Sequence, residues 1–532
     1  MQQDLDHRSP HLLRKKSVWY AFAVTSIACI LLLTACGGPN ATQQTGSKIK
    51  KGGTLKVGLI AEPTVLDPLT SVSLYDSDIT SNIYDSLFRY DPQGQIQKEL
   101  VSTYAYASPT VLNLTLRTDV KFQDGTPFNA DAVIFNINRF RDDKTSPRYT
   151  DVATIVALQK LSDSQVQIRL SKPFAPFLTV LTGAVGQMLS PTAVQKLGKT
   201  LGNAPINVGS GPFIFVEWIK GDHLLLKANP NYWKKDAQGT QLPYLASIRY
   251  QTITNGTVMY TNLQTNQIQV ATGISPNDVA SVKANPSLTY KQISGPGFGS
   301  LFLDTSVAPM NNVHVRRAIA WGINRQEILD SVLKDIGVVS KGPISPVNFA
   351  YDKNVDSYTH DVSKAKDELA LSGLSNVSFT LKTQSGSPVA TEEAQFIQSE
   401  LQTVGITVNI QQETFTAEVQ DVQTFKYQAA AIGWTGGPDP DNDMYLLFKS
   451  DGGFNYTKYS NPQVDKLLDE GRTTTDQAKR ITLYQQAQQL IVQDSPFIFL
   501  VHGAVSQETS NTVKNYFLSP SAVLYFRDVY LG

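Results

Sequence analysis

The sequence predicts an α/β protein of more than one domain, and three observations carry that expectation. The chain has 532 residues, beyond the span of one hydrophobic core, so two or three domains are expected. Segments that alternate apolar and polar residues interleave with segments whose apolar residues recur at helical spacing, the marks of strands and amphipathic helices. Over residues 377–410 a strand, a helix and a strand follow one another, a unit whose crossover requires a parallel pair. Hydrophobic residues make up 41% of the chain, with 22 Tyr and 23 Phe, which suits a folded rather than a disordered protein. Basic and acidic side chains balance at 46 each, so no basic face for nucleic acid is expected. Two cysteines exclude a disulfide-dense scaffold and a Cys-rich zinc or iron–sulfur site.

Taken in order, the chain begins with an address. Arg14, Lys15 and Lys16 precede an apolar stretch over 18–34, which runs into Leu33-Thr34-Ala35-Cys36. A basic region, an apolar region and small residues before a cut site describe a secretory signal over 1–35. The same stretch is near the lower limit of ~17 residues for a membrane span, but a polar Gly/Ser/Thr/Gln run follows it instead of a positive stop. Leu-Thr-Ala-Cys resembles the bacterial lipobox, which implies that Cys36 becomes a lipid-modified N-terminus (diacylglycerol on the thiol, palmitate on the amine). Two or more acyl chains give stable anchoring. Cys29 would leave with the signal, so no free thiol is expected in the mature chain. Residues 36–53 are small, polar and aperiodic, a flexible tether.

The folded part starts at Thr54 with a strand over 54–60. Leu112, Leu114 and Leu116 mark a half-buried strand, and Asp124-Gly125-Thr126-Pro127 a turn. Asn129 caps a helix whose Val133, Ile134, Ile137 and Phe140 share a face. Val166, Ile168 and Leu170 give another strand, and Lys220-Gly221-Asp222 turns a hairpin between 213–218 and 224–227. Asn324 with Glu327 imitates a capping box before Ile328, Leu329, Val332 and Leu333. Asp361 and Gly373 bound a further helix. In the strand–helix–strand unit, Val377, Phe379 and Leu381 lead to Ala394, Ile397, Leu401 and Val404, which end at Gly405 before Ile406, Val408 and Ile410. A candidate strand over 427–432 then runs into Gly433-Trp434-Thr435-Gly436-Gly437-Pro438-Asp439-Pro440-Asp441-Asn442. Ligands of open α/β sheets sit beyond the carboxyl ends of strands, which makes this loop the leading candidate site.

Catalytic constellations are missing: the chain has no H-E-x-x-H, G-x-S-x-G or G-x-x-x-x-G-K-[S/T] motif. His223, His314, His360 and His502 are scattered, and each reads as a surface or packing residue. Gly295-Pro296-Gly297-Phe298-Gly299 lacks a third glycine at the dinucleotide spacing and reads as a flexible connection between lobes. Asp439 and Asp441 fit turn formers facing a cleft better than an acid–base pair. Trp434 has two readings, an aromatic finishing a strand in the core or a rigid wall for a ligand, with Gly436 and Gly437 admitting close approach.

Ordered blocks carry a family resemblance. Gly52-Gly53-Thr54-Leu55 with Glu62-Pro63-Thr64-Val65-Leu66-Asp67-Pro68 is followed by Ile83-Tyr84-Asp85-Ser86-Leu87-Phe88 and by Phe122-Gln123-Asp124-Gly125-Thr126-Pro127-Phe128. Gly209-Ser210-Gly211-Pro212-Phe213, Asn229-Pro230-Asn231-Tyr232-Trp233 and Val315-Arg316-Arg317-Ala318-Ile319 come next, then Gly433-Trp434 with Asp439-Pro440-Asp441-Asn442. The set resembles family 5 extracellular solute-binding proteins, the oligopeptide- and dipeptide-binding lipoproteins of bacterial ABC importers.

The resemblance implies a two-lobed periplasmic-binding-protein fold (type II-like, with an extra domain), with mixed sheets, flanking helices and a hinge. By analogy lobe I takes 54–83, 200–300 and 505–532, the extra domain 84–199 and lobe II 301–504. It implies a lipid-anchored, monomeric, non-enzymatic protein on the extracytoplasmic face of the cell membrane, in the periplasm where an outer membrane exists. The protein closes on a small solute, a short peptide first, and delivers it to permease subunits, with no cofactor, metal or nucleic acid. Ligand-binding residues are expected at Tyr75, Asp76, Trp434, Thr435, Gly436, Gly437, Asp439 and Asp441. Peptide-binding members usually carry an Asp shortly after Gly-Trp that neutralises the peptide's ammonium; here the stretch is Thr435-Gly436-Gly437-Pro438, one residue shorter and without the acid. A sugar, opine or metal chelate is the alternative solute, a receptor that only signals is an alternative role, and a glycoside hydrolase would need a converging carboxylate pair.

Overall fold

The alternating run that begins at Thr54 forms the strand Thr54–Leu59 inside a seven-stranded sheet in the computed structural model, which describes residues 49–532. The expected signal peptide over 1–35, the expected lipidation at Cys36 and residues 36–48 of the expected tether lie outside the described residues. Thr54–Leu59 pairs in parallel with Ser247–Thr252 on one side and Val270–Ala271 on the other. The hairpin around Gly221 is present, Phe213–Ile219 running antiparallel to His223–Ala228, with Gly221 at a φ of 77° that glycine adopts without steric cost. At the far edge Leu288–Ser294 pairs antiparallel with Ala504–Ser510. Leu55, Val57, Ile79, Phe213, Leu226 and Tyr250 form the core beneath this sheet.

A four-stranded antiparallel sheet follows from Val101–Ser108, Val111–Leu116, Gln165–Leu170 and Ile155–Ser162. Its inward residues Leu112, Leu114, Val166 and Ile168 meet Val133, Ile137 and Phe140 of the helix Ala130–Asp142. That helix starts where expected, Asn129 Oδ1 accepting from the Ala132 amide.

The third sheet has six strands in the order Val338–Val339, Phe497–His502, Phe298–Leu303, Ala429–Trp434, Ser378–Gln384, Thr407–Glu413. The expected strand–helix–strand unit is here: Ser378–Gln384 and Thr407–Glu413 pair in parallel around the helix Pro388–Val404. Gly405 ends the helix in the left-handed region at a φ of 100°. Strand alternation splits Phe298–Leu303 between two cores. Leu301 and Leu303 join Ile319, Leu381 and Ile397 on one face, and Phe298 and Phe302 join Met444, Phe448 and Phe497 on the other. Both faces of this mixed sheet are therefore covered.

One helix differs from expectation. Asn324 Oδ1 accepts from the Glu327 amide as a cap should, but the helix is Arg325–Glu327 and gives way to a π turn over Ile328–Val332. The Arg325 guanidinium is buried there, donating to the Phe499 and Ala320 carbonyls at 2.6 and 2.9 Å.

The chain passes between the seven- and six-stranded sheets at two places. Gly295-Pro296-Gly297 links Leu288–Ser294 to Phe298–Leu303, and Gly503 links Phe497–His502 to Ala504–Ser510. The crossings run side by side, the Gly295 amide donating to the Gly503 carbonyl at 3.0 Å.

Candidate functional site

Beyond the carboxyl end of Ala429–Trp434 lies a cavity of about 660 Å³, within the size range of small-molecule sites. Tyr75 and Thr272 line it beside the seven-stranded sheet, Tyr90 and Arg148 from the part that carries the four-stranded sheet, and Phe415 and Trp434 beside the six-stranded sheet. Both glycine crossings reach its wall.

Trp434 is the last residue of its strand and stands opposite Phe298. Its indole Nε1 donates to Asp443 Oδ1 at 3.2 Å, and its ring meets Phe454 edge-on with centroids 5.0 Å apart. The side chain thus packs on the core and lines the cavity at once, combining the two sequence readings. Asp443 is fully buried with Oδ2 unpartnered, and burial pushes its carboxyl well above the usual range. After Trp434 the loop folds back on the crossing. Gly436 takes a φ of 75°, and a Cβ there would lie 2.3 Å from the Pro296 carbonyl oxygen, so glycine is required on both counts. Thr435 and Gly437 continue the cavity wall, and Asn348 Nδ2 donates to the Gly437 carbonyl at 3.2 Å.

Asp439 and Asp441 line the cavity, but arginines occupy their carboxylates. Asp439 caps the helix Pro440–Phe448 through the Asp441 amide at 3.0 Å. Arg480 grips it with two bonds of 3.0 and 2.7 Å. Burial pushes the Asp439 carboxyl up, and Arg480 opposes that shift. Asp441 accepts from Arg472 Nε and Nη2, at 3.0 and 2.6 Å, and from the Tyr484 hydroxyl at 3.0 Å. Arg472, 2% exposed, also reaches the Thr150 carbonyl at 2.9 Å, tying this loop to the part of the chain with the four-stranded sheet. Neither aspartate offers an uncompensated charge.

Tyr75 lines the cavity from the first turn of the helix Leu74–Ile83 and meets Phe415 edge-on at 5.3 Å. Asp76, expected at the cleft, instead points away from it. It is 0% exposed and accepts from the Thr64 amide at 2.6 Å, the Thr64 and Ser71 hydroxyls at 2.8 and 3.1 Å, and the Ser73 amide at 3.3 Å. With Ser73 it forms a capping box, so its carboxylate fastens the 64–73 loop to the helix start. Burial pushes its carboxyl up, against those hydrogen bonds.

Three acidic residues on the cavity wall escaped the sequence reading, Asp78, Asp151 and Glu418. Asp78 lies one turn beyond Tyr75. Glu418 lies one turn beyond Phe415, beside Val419 and Val422 on the buried face of the helix Phe415–Gln423. A carboxylate on an apolar stripe was the available signal for Glu418, but it shows only once that helix is recognised.

The model for bacterial extracellular solute-binding proteins, family 5, matches residues 99–455. The glutathione-binding protein GsiB of Pectobacterium atrosepticum is 28% identical over 486 residues, covering 87% of this chain and 91% of that protein. Among solved structures, the periplasmic binding protein DppA of Helicobacter pylori in complex with a peptide superposes with a TM-score of 0.84 at 26% identity, covering 91% of this chain and 98% of that one. The oligopeptide-binding protein AppA of Bacillus subtilis in complex with a nonapeptide gives 0.85 at 25% identity, covering 91% and 100%.

Proposed function

The chain belongs to the bacterial extracellular solute-binding proteins, family 5, and on that footing we propose that it captures a short peptide in its central cavity and hands it to the permease of an ABC importer. It binds solute and does not turn it over. The observation that carries this reading is the cavity of about 660 Å³ walled from all three parts of the fold, with the two glycine crossings alongside. Paired crossings of this kind are where two lobes hinge, and closure has force only when the closed state binds solute better than the open one. We assign 54–83, 200–300 and 505–532 to lobe I, 84–199 to the extra domain and 301–504 to lobe II, with the solute held by Tyr75, Trp434, Thr435, Gly436 and Gly437.

Peptide is favoured over sugar, opine or metal chelate by the likeness to DppA and AppA, each solved with a peptide, and to the glutathione-binding protein. The sequence Leu33-Thr34-Ala35-Cys36 supports a lipid anchor at Cys36 after loss of 1–35, which leaves a monomer tethered on the extracytoplasmic face. The test is mass spectrometry of solute released from the purified protein by unfolding. A mixture of short peptides is expected, and a single sugar, opine or metal chelate in their place overturns the peptide assignment.

A further inference from the structure

We propose that Glu418 and Asp78, one from each side of the cavity, form an acidic subsite that takes a cationic group of the solute, an ammonium or a guanidinium. The inference rests on the solute-binding reading and names the charge that the bound solute carries.

The geometry begins with Tyr75 and Phe415, whose rings meet edge-on at 5.3 Å and bring the helices Leu74–Ile83 and Phe415–Gln423 together across the cavity. Residues three apart share a helix face, so Asp78 and Glu418 each follow their aromatic partner onto the cavity wall, one on either side of the ring contact. Both line the cavity. Glu418 is 1% exposed and its Oε1 has no hydrogen-bond partner. The Asp78 carboxylate accepts from the Leu524 amide at 2.9 Å, and no ion pair holds it among the described residues. A buried carboxyl without a partner is costly unless something arrives to pair with it.

Among the described residues the surroundings supply no uncommitted cation. Near Glu418 stand Glu413, Asp421 and Lys382, and the Lys382 ammonium is already committed to Glu413 at 2.8 Å and to Asp421. Three carboxylates therefore face one ammonium. Near Asp78 stand Asp76, Tyr75, Tyr250 and Tyr516, all neutral or acidic. Arg148, the basic side chain on the cavity wall, lies 3.7 Å from Asp151 and stacks on Phe454. Burial accordingly pushes both acids up to about 8, so each is poised to ionise when a cation enters. Asp78 and Glu418 stand on the helices Leu74–Ile83 and Phe415–Gln423, not on the loop after Trp434, and they supply an acidic charge to a cavity whose Asp439 and Asp441 are held by arginines.

The experiment is calorimetry on the purified protein, freed of solute by reversible unfolding, with two matched pairs of probes. The pairs are N-acetylarginine amide with N-acetylcitrulline amide, and trialanine amide with N-acetyltrialanine amide. At least one cationic probe should bind wild type tenfold or more tighter than its neutral twin. That advantage should fall at least tenfold in Glu418→Gln and in Asp78→Asn, while the neutral twins shift less than threefold. Glu418→Gln should melt at or above the wild-type temperature, because it removes an unpaired buried acid; if one variant fails to fold, the other decides. A cationic advantage that survives both substitutions, or neutral twins that bind as tightly as the cations, overturns the acidic subsite and leaves the solute-binding reading standing. Failure of that reading looks different: no probe binds and unfolding releases no solute.

Discussion

A methyl group on Gly297 would lie 2.0 Å from the Trp434 carbonyl oxygen, so one crossing between the sheets is in backbone contact with the loop that walls the cavity. Gly297→Ala cannot be absorbed by a side-chain rotation, because the obstacle is main chain, and either the crossing or the loop must move. The variant should lose about 2 kcal/mol or more in urea unfolding and bind released solute at least tenfold more weakly. Wild-type affinity with wild-type stability would show that crossing and loop move independently.

Asp441 and Arg472 answer to the rules for buried ion pairs. With Asp441→Ala the Arg472 guanidinium keeps Asp151 at 3.4 Å and the Thr150 carbonyl, but loses its closest anion. Breaking such a pair costs about 3–5 kcal/mol, and the contact with Asp151 should hold the loss near the lower end. The check is chemical denaturation of Asp441→Ala and of the double variant with Arg472→Met, which should recover part of the loss by removing the stranded charge.

What was legible in the sequence divides along the same physical line. The strand–helix–strand unit over 377–410 could be read because apolar spacing at Ala394, Ile397, Leu401 and Val404 is a local property of a helix face. The loop after Trp434 could be read because Gly436 and Gly437 announce their backbone geometry themselves. Asp439 and Asp441 could not be resolved from sequence, since the arginines that occupy them stand 41 and 31 residues away with no local pattern joining them. Asp76 and Asp78 differ by two positions on one helix, which turns one toward the Thr64 loop and the other toward the cavity. No composition argument chooses between them before the helix start is known.

Cys36 carries a prediction that needs only fractionation. On the proposal that Cys36 is the lipid anchor, Cys36→Ser removes the thiol that diacylglycerol would alkylate, and with it every membrane-holding chain. Wild type should sediment with membranes and the variant should appear in the soluble fraction, unless residues 18–34 remain as a span, in which case both sediment.

His502 ties the crossing to pH. It is 2% exposed, its Nδ1 donates to the Gly297 carbonyl at 3.0 Å, and Ser340 Oγ lies 2.9 Å from Nε2. Burial pushes the imidazole down to about 4, against the pull of that carbonyl. The folded state resists a proton that the unfolded chain accepts near 6.5, so the stability contributed is complete above 6.5 and is lost as pH falls toward 4. About 3 kcal/mol is at stake at one pKa unit per 1.36 kcal/mol. Because buried carboxyls titrate with the opposite sign, the readout is the difference between wild type and His502→Asn. That difference should shrink steadily from pH 7 to pH 4, and a flat one would mean that the imidazole is not the titrating group.

Glu418 and Asp78 make solute affinity itself depend on pH. With both carboxyls near 8, the empty cavity holds them largely protonated at pH 7. A bound guanidinium favours their ionised forms and lowers both values, so binding at pH 7 releases up to two protons. By linkage, affinity for N-acetylarginine amide, whose own charge is constant in this range, should rise between pH 6 and pH 8, by up to tenfold per pH unit for each proton released. Above about 8 both acids are already ionised and the curve should level. Calorimetry at pH 7 in two buffers of different ionisation enthalpy counts the protons directly. Glu418→Gln should lower the count by one and flatten the slope, since Asp78 alone still titrates. Proton uptake on binding, or affinity unchanged from pH 6 to pH 8, would place the cation somewhere other than between these two carboxyls.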